Sequence, residues 1–200
     1  LNLYLMYEYF PCCTLLSQLE HSTWSQRQIV NIARECCAVT AYAHSLGMCH
    51  LSWTLCHVLL PADAHNGGDP CFAKVFGFGL MGVVQTDAHD HVFWSAEALE
   101  RYNQAGQGTG SWVHKMEGPQ RFMCDSWSLG AIIYSLVAKQ PPCETDEDVL
   151  AKRWNFNLAI DEMDTEAKSL IEGFMHPTFD KRIRAERALH HEWLRRRWQA

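Results

Sequence analysis

Long apolar runs, a basic surplus and paired cysteine spacings are all missing from this sequence. The uncharged stretch Ser126–Ala138 stops well short of the roughly 20 residues that a membrane-spanning helix needs, so it reads as a buried helix and no membrane span is expected. Lys and Arg number 17 against 23 Asp and Glu, giving a net charge of −6 and a pI near 6.0. Nucleic-acid binders usually carry a basic excess, so that class is set aside. Dense positive charge is confined to Arg195-Arg196-Arg197, which reads as the solvated end of a helix, where cations are favoured. The nine cysteines are odd in number, include the adjacent pairs Cys12-Cys13 and Cys36-Cys37, and form no C-x-x-C. They read as free thiols packed as small hydrophobes in a reducing compartment, so an intracellular, cytoplasmic protein is expected. Leu1–Phe10 is apolar, but Glu8 and Pro11 interrupt it and no basic leader or small-residue cleavage site accompanies it, so it is not a signal peptide. A D-x-D-x-D-G calcium loop is absent. Gln107-Gly-Thr-Gly-Ser111 lacks both the preceding strand and the closing Lys-Ser/Thr of a phosphate loop.

What is present suits one globular unit: 48% hydrophobic and 20% charged residues over 200 positions. The chain opens without methionine inside a strand-like run, Leu3–Tyr9, and is expected to be the interior of a longer protein. A short helix is expected over Thr14–Glu20. The next helix is the best specified: Ser25 and Gln28 form a capping box, Trp24 and Ile29 stand at staple positions, and Ile29, Ala33, Cys36, Thr40, Ala41 and His44 recur at helical spacing. Gly47 is placed to end it in a left-handed cap. Strands are expected at Val58–Leu60 and Phe72–Phe76, joined through an Asn-Gly-Gly-Asp turn, then a short helix near Ala96–Glu100. Residues 102–121, with Gly106–Gly110 and a second break at Gly118-Pro119, read as a surface insertion. Cys124–Val137 is apolar on every face and stops before Pro141-Pro142, the pattern of a central buried helix. Further helices are expected near Asp146–Arg153, Thr165–Met175 and Ala185–Trp198.

Five segments carry more than local structure. His50-Leu-Ser-Trp-Thr-Leu-Cys-His57 lies between the long helix and Val58-Leu59-Leu60, and Lys74-Val-Phe-Gly-Phe-Gly-Leu80 follows. Downstream come Cys124-Asp-Ser-Trp-Ser-Leu-Gly130, Glu166-Ala-Lys-Ser-Leu-Ile171 and Lys181–Leu194. In this order and at these distances they resemble the catalytic domain of protein kinases: the loop H-R-D-L-K-P-E-N, the turn K-V-x-D-F-G-L, the helix D-x-W-S-x-G and the closing helices. The likeness is to the calcium/calmodulin-dependent and calcium-dependent kinases. It implies a mainly α fold, the large C-terminal lobe, built as a helical bundle with a few short strands at the catalytic loop and a hinge strand. Residues 1–13 would be the end of the small lobe and the hinge, with Tyr7 as gatekeeper and Glu8 and Tyr9 as nucleotide hinge. Residues 14–200 would be the large lobe. The glycine-rich loop, strand lysine and helix glutamate of the family are not in this sequence.

The resemblance sorts residues by role. Those that brace the family's fold are present: His50 in the catalytic loop, Phe78 and Gly79 in the metal turn, Asp125 holding the loop backbone, and Glu97 pairing with Arg182. Ser95-Ala96-Glu97 keeps the glutamate of A-P-E without its proline. Those that do chemistry are replaced. Ser52 stands for the catalytic Asp, Thr54 for the phosphate-contacting Lys, His57 for the Asn and Gly77 for the Asp that hold magnesium, and Leu51 for the loop Arg. Phosphoryl transfer rests on metal ions held by hard oxygen ligands and on a carboxylate that orients the hydroxyl. A pseudokinase acting as scaffold or allosteric regulator is therefore expected, with a protein partner such as an active kinase or a substrate, and with no cofactor. ATP and Mg2+ belong to the alternative, an active Ser/Thr kinase borrowing Asp63, Asp87 or Asp90 as ligands. A third reading, a zinc site, rests on Cys49-His50, Cys56-His57 and His89-x-His91, whose spacing is looser than zinc sites usually show. Trp24, Trp127, Trp193 and Trp198 read as core, whereas Trp53 reads as exposed in the loop.

Overall fold

The computed structural model describes residues 6, 8–19, 24–62, 73–78, 88–105, 116–154 and 164–196. It is mainly helical. The helices are α1 (Leu15–Leu19), α2 (Gln26–Ser45), α3 (Ala96–Ala105), α4 (Gly118–Ala138), α5 (Asp146–Leu150), α6 (Thr165–Phe174), α7 (Ala185–Ala188) and α8 (Glu192–Arg195). Strands β1 (Cys12–Thr14), β2 (Val58–Pro61) and β3 (Lys74–Val75) form a sheet in that order. Both pairings are antiparallel, with Cys13 opposite Leu60 and Val58 opposite Val75. Among the described residues no helix is long and apolar enough to cross a membrane, and none of the cysteines forms a disulfide.

Helix α4 is the axis. Every residue from Met123 to Leu136 is buried, and α4 packs against α2 on one side and α6 on the other. The α6 contact is close enough that a Cβ on Gly130 would sit 2.6 Å from Met175 Cγ and 2.8 Å from Phe174 Cβ, so only glycine lets the two backbones approach this far. Helix α2 begins as its sequence dictates: Ser25 Oγ accepts from Gln28 N–H, and Gln28 Oε1 accepts from Ser25 N–H at 2.8 Å. Gly47 follows at φ +76°. Arg34, on the half-buried side of α2, donates through Nε to Leu194 O at 2.8 Å and ties the chain's last described helix to the bundle.

The boundaries differ from expectation in four places, each for a physical reason. Met6, Glu8 and Tyr9 are not in a strand; the strand forms after Pro11, where β2 offers a partner. Gly118-Pro119 opens α4 instead of breaking the chain, because a proline in the first turn forfeits an N–H that has no helical acceptor anyway. Residues 102–105 continue α3, with Tyr102 buried, so both ends of the anticipated 102–121 insertion are helical. The last helix is two short ones, interrupted at 189–191, where the His191 side chain accepts from Trp193 N–H and restarts the helix.

Candidate functional site

Asp125 organises the loop that follows α2. Its Oδ1 accepts from Leu51 N–H at 2.7 Å, and its Oδ2 accepts from His50 N–H at 2.9 Å and lies 2.8 Å from His44 Nε2. The loop is thereby held in a conformation it would not choose alone, with Leu51 at φ +66°, a region that non-glycine residues seldom occupy. His44 was legible only as a core-facing member of the α2 repeat. A histidine at an apolar register position signals only that a polar partner is needed once it is buried.

His50 is fully buried. Its Nε2 lies 2.9 Å from Phe76 O, and since a carbonyl only accepts, Nε2 carries the proton. Nδ1 is then the acceptor for Ser52 N–H and faces Ser52 Oγ, each at 3.3 Å. Burial lowers the His50 pKa, against the upward pull of Asp125. His57 is pushed down to about 4 by burial and by the neighbouring His50. Its Nδ1 lies 3.1 Å from Thr54 Oγ1, and the same hydroxyl accepts from Cys56 N–H and caps the short 3-10 turn Leu55–His57. Ser52 and Thr54 are both buried, so their hydroxyls serve the loop and do not face solvent.

The two imidazoles meet edge to face with centroids 4.8 Å apart, and the Phe76 ring flanks His57 at 5.2 Å. Gly77 closes this group at φ +98°. A Cβ there would stand 2.9 Å from His57 Cδ2 and 3.2 Å from His50 Nε2. The place where a side chain at residue 77 would project is filled by the histidine rings. Trp53, expected to be exposed, is instead completely buried: it stacks on His50 at 4.6 Å and meets the half-buried Phe78 edge-on at 5.8 Å. Periodicity cannot register burial inside a loop that folds back under its own helix.

A second cluster braces the same part of α4, around Met123 and Trp127 on either side of Asp125. Arg182 Nη2 donates to both oxygens of Glu97 at 3.1 and 2.9 Å, Nε donates to His176 O and Nη1 to Met123 O, and the guanidinium lies over Trp127 at 4.8 Å. Burial raises the Glu97 pKa, but Arg182, a backbone hydrogen bond and Lys152 together outweigh it and the net shift is downward. Substitution of Ala96 for a proline leaves this pair formed. Near the N-terminus Glu8 is exposed and paired with Lys74 Nζ at 2.5 Å, while Tyr9 is exposed. Tyr7 and Gly79 lie outside the described residues, as do Asp63, Asp87 and the side chains of His89 and Asp90. The Cys49-His50 and Cys56-His57 pairs do not converge as metal ligands: both imidazoles are committed to the contacts above, and His91 turns to Asp146, 3.1 Å away.

The site thus offers two neutral imidazoles, two buried hydroxyls and a glycine. Magnesium takes hard oxygen ligands in octahedral geometry, and neither His57 nor Gly77 supplies one. The residues at these positions do not fit that ion.

The family described as the protein kinase domain matches residues 1–194. The chain belongs to the protein kinase domain family. It is 25% identical over 196 residues to ribosomal protein S6 kinase 2 alpha of Xenopus laevis, covering 90% of this chain and 24% of that protein. It is 26% identical to the human CaM kinase-like vesicle-associated protein, covering 88% of this chain and 35% of the relative. The chain therefore spans about a quarter of the length of the first of these kinases. A crystal structure of the Rad53 kinase domain and SCD2 in complex with AMPPNP superposes with a TM-score of 0.71 at 16% identity, over 94% of this chain and 68% of that one. The architecture is that of a kinase large lobe: α2 leads into the catalytic-loop position, β2 and β3 flank it, and α4 is the central helix.

Proposed function

We propose that this kinase domain is a pseudokinase, an intracellular interaction module that binds a protein partner as scaffold or allosteric regulator and transfers no phosphate. The observation that carries the reading is the interlock of His57 and Gly77. At the two magnesium positions of the family the chain has no oxygen ligand, and the imidazole fills the volume that a ligand from residue 77 would enter. Ser52, at the position of the catalytic carboxylate, is uncharged near neutral pH and is turned toward His50, so it does not orient a substrate hydroxyl as an aspartate does. The frame, in contrast, is intact: Asp125 on the loop backbone and Arg182 on Glu97 both hold. A fold that keeps its brace while losing each charged reacting group is suited to presenting a surface.

Thermal denaturation of the protein with and without ATP, each with and without Mg2+, tests this. A ligand at about 100 times its Kd adds roughly 2.7 kcal/mol, about 5–11 °C for a domain of this size. No magnesium-dependent shift is expected, and radiolabel from ATP should not enter the protein or a generic Ser/Thr substrate. Magnesium-dependent stabilisation, or incorporation lost on Asp63, Asp87 or Asp90 substitution, overturns the reading in favour of an active kinase with borrowed ligands.

A further inference from the structure

Beneath the site loop, three donors from separate parts of the fold converge. His44 lies in the last turn of α2, Cys49 follows the turn that ends that helix, and Asp125 projects from α4. One ligand atom from each lies within 4.8 Å of the other two. Asp125 is wholly buried, the His44 side chain is 12% exposed, and Cys49 is half-buried. We propose that His44, Cys49 and Asp125 form a binding site for a divalent ion of borderline softness, zinc by its donor set, which clamps α2, the site loop and α4 together. This site is separate from the magnesium positions of the family and does not depend on the pseudokinase reading.

The donor chemistry points to zinc: one imidazole, one thiolate and one carboxylate are ligands that zinc accepts together, whereas magnesium and calcium prefer oxygen alone. The interval His44-x4-Cys49 falls in the range of paired zinc ligands, unlike the Cys-His pairs that the sequence first suggested. Charge also favours it. A dication with one thiolate and one carboxylate makes a neutral buried unit, which avoids the large penalty of an isolated buried charge. Arg121, whose charge acts on Cys49, opposes the cation, and the two anionic ligands offset it.

The surroundings already restrain two of the donors, the carboxylate by hydrogen bonds of the kind that fix ligating carboxylates. Asp125 is fixed by Leu51 and His50 N–H groups, and the His44 ring rests 4.5 Å from the Phe122 ring. Zinc–ligand lengths of about 2.0–2.3 Å separate tetrahedral donors by about 3.3–3.7 Å. The His44–Asp125 pair, now 2.8 Å apart, would open slightly and Cys49 would close in, with water completing the shell. On binding, the Cys49 thiol loses its proton to solvent as the sulfur–metal bond forms, the proton that His44 Nε2 holds against Asp125 moves to Nδ1 and frees the Nε2 lone pair for the metal, and no electrons are transferred.

The test is zinc titration of the chelator-stripped protein, followed by elemental analysis after desalting, in parallel with Cys49→Ser. Cys49→Ser removes the metal-binding sulfur but none of the bonds from Asp125 to the loop, so its metal-free stability should match the parent. Stoichiometric zinc in the parent, at least about tenfold weaker binding in Cys49→Ser, and a thiolate-to-metal charge-transfer band with cobalt that this variant abolishes are the expected results. Absence of stoichiometric zinc, or affinity unchanged in Cys49→Ser, overturns the proposal and leaves the His44–Asp125 hydrogen bond as the full role of these residues.

Discussion

Replacing Gly77 with alanine adds one methyl group, and the structure says where it goes. At φ +98° an L residue is strained, which costs about 1–2 kcal/mol. The new Cβ would also press on His57 Cδ2 at 2.9 Å and on two His50 ring atoms at 3.2 and 3.3 Å. Those atoms have little room to retreat: the His57 ring is held at Thr54 Oγ1 and flanked by Phe76, and the His50 ring is tied to Phe76 O and stacked on Trp53. Overpacking of this kind costs about 1–3 kcal/mol. Together the two effects amount to about 3 kcal/mol, or about 6–12 °C in Tm for a domain of this length. The assay is thermal or urea denaturation of Gly77→Ala, His57→Ala and the double variant. Since His57→Ala removes the nearest colliding ring, the double variant should be more stable than additivity predicts by about 1–2 kcal/mol. A Gly77→Ala variant within about 0.5 kcal/mol of the parent, or strict additivity in the cycle, refutes the interlock and with it the argument that the magnesium position has been filled.

Two further outcomes are expected. His57 is neutral in the fold, with its pKa lowered from 6.5 to about 4, so the unfolded chain binds more protons in that window. Its contribution is complete above pH 6.5 and is lost as pH falls toward 4. A shift of this size corresponds to about 3 kcal/mol, reduced to on the order of 1–2 kcal/mol by partial exposure. The stability difference between parent and His57→Ala should narrow over that range and not above it. Arg182→Ala should destabilise by about 2–4 kcal/mol, because two backbone carbonyls lose their charged donor and the half-buried Glu97 keeps only Lys152, 3.3 Å away; a loss below about 1 kcal/mol in urea melts would show that the brace carries no weight.

How legible all this was depended on distance along the chain. The capping box of α2 and the all-round burial of α4 are local patterns, and both elements formed. The order of motifs gave the family, because five weak signals at fixed intervals are jointly specific. Sequence could not register contacts made across the fold. Trp53 looked exposed because its neighbours are loop residues, yet His50 and Phe78 enclose it. His57 and Gly77 lie 20 residues apart with β2 and β3 between them, so each looked like an independent loss. His44 and Asp125 meet only because α2 and α4 pack side by side, and the Cys49 that joins them carries no periodic signal at all.

The conformation of the site loop bears on what the domain has kept. Leu51 at φ +66° costs about 1–2 kcal/mol. The next residue, Ser52, is buried against His50. The strain persists because Asp125 accepts from Leu51 and His50 backbone N–H groups, and hydrogen bonds to a charged acceptor contribute about 1.5–3 kcal/mol each. Relaxing the loop would leave a fully buried carboxylate without those partners, a larger loss than the strain relieved. The loop geometry is therefore a property of the α2–α4 frame. The Asp125 hydrogen bonds hold this loop and the surface around it without any contribution from Ser52, Thr54 or Gly77.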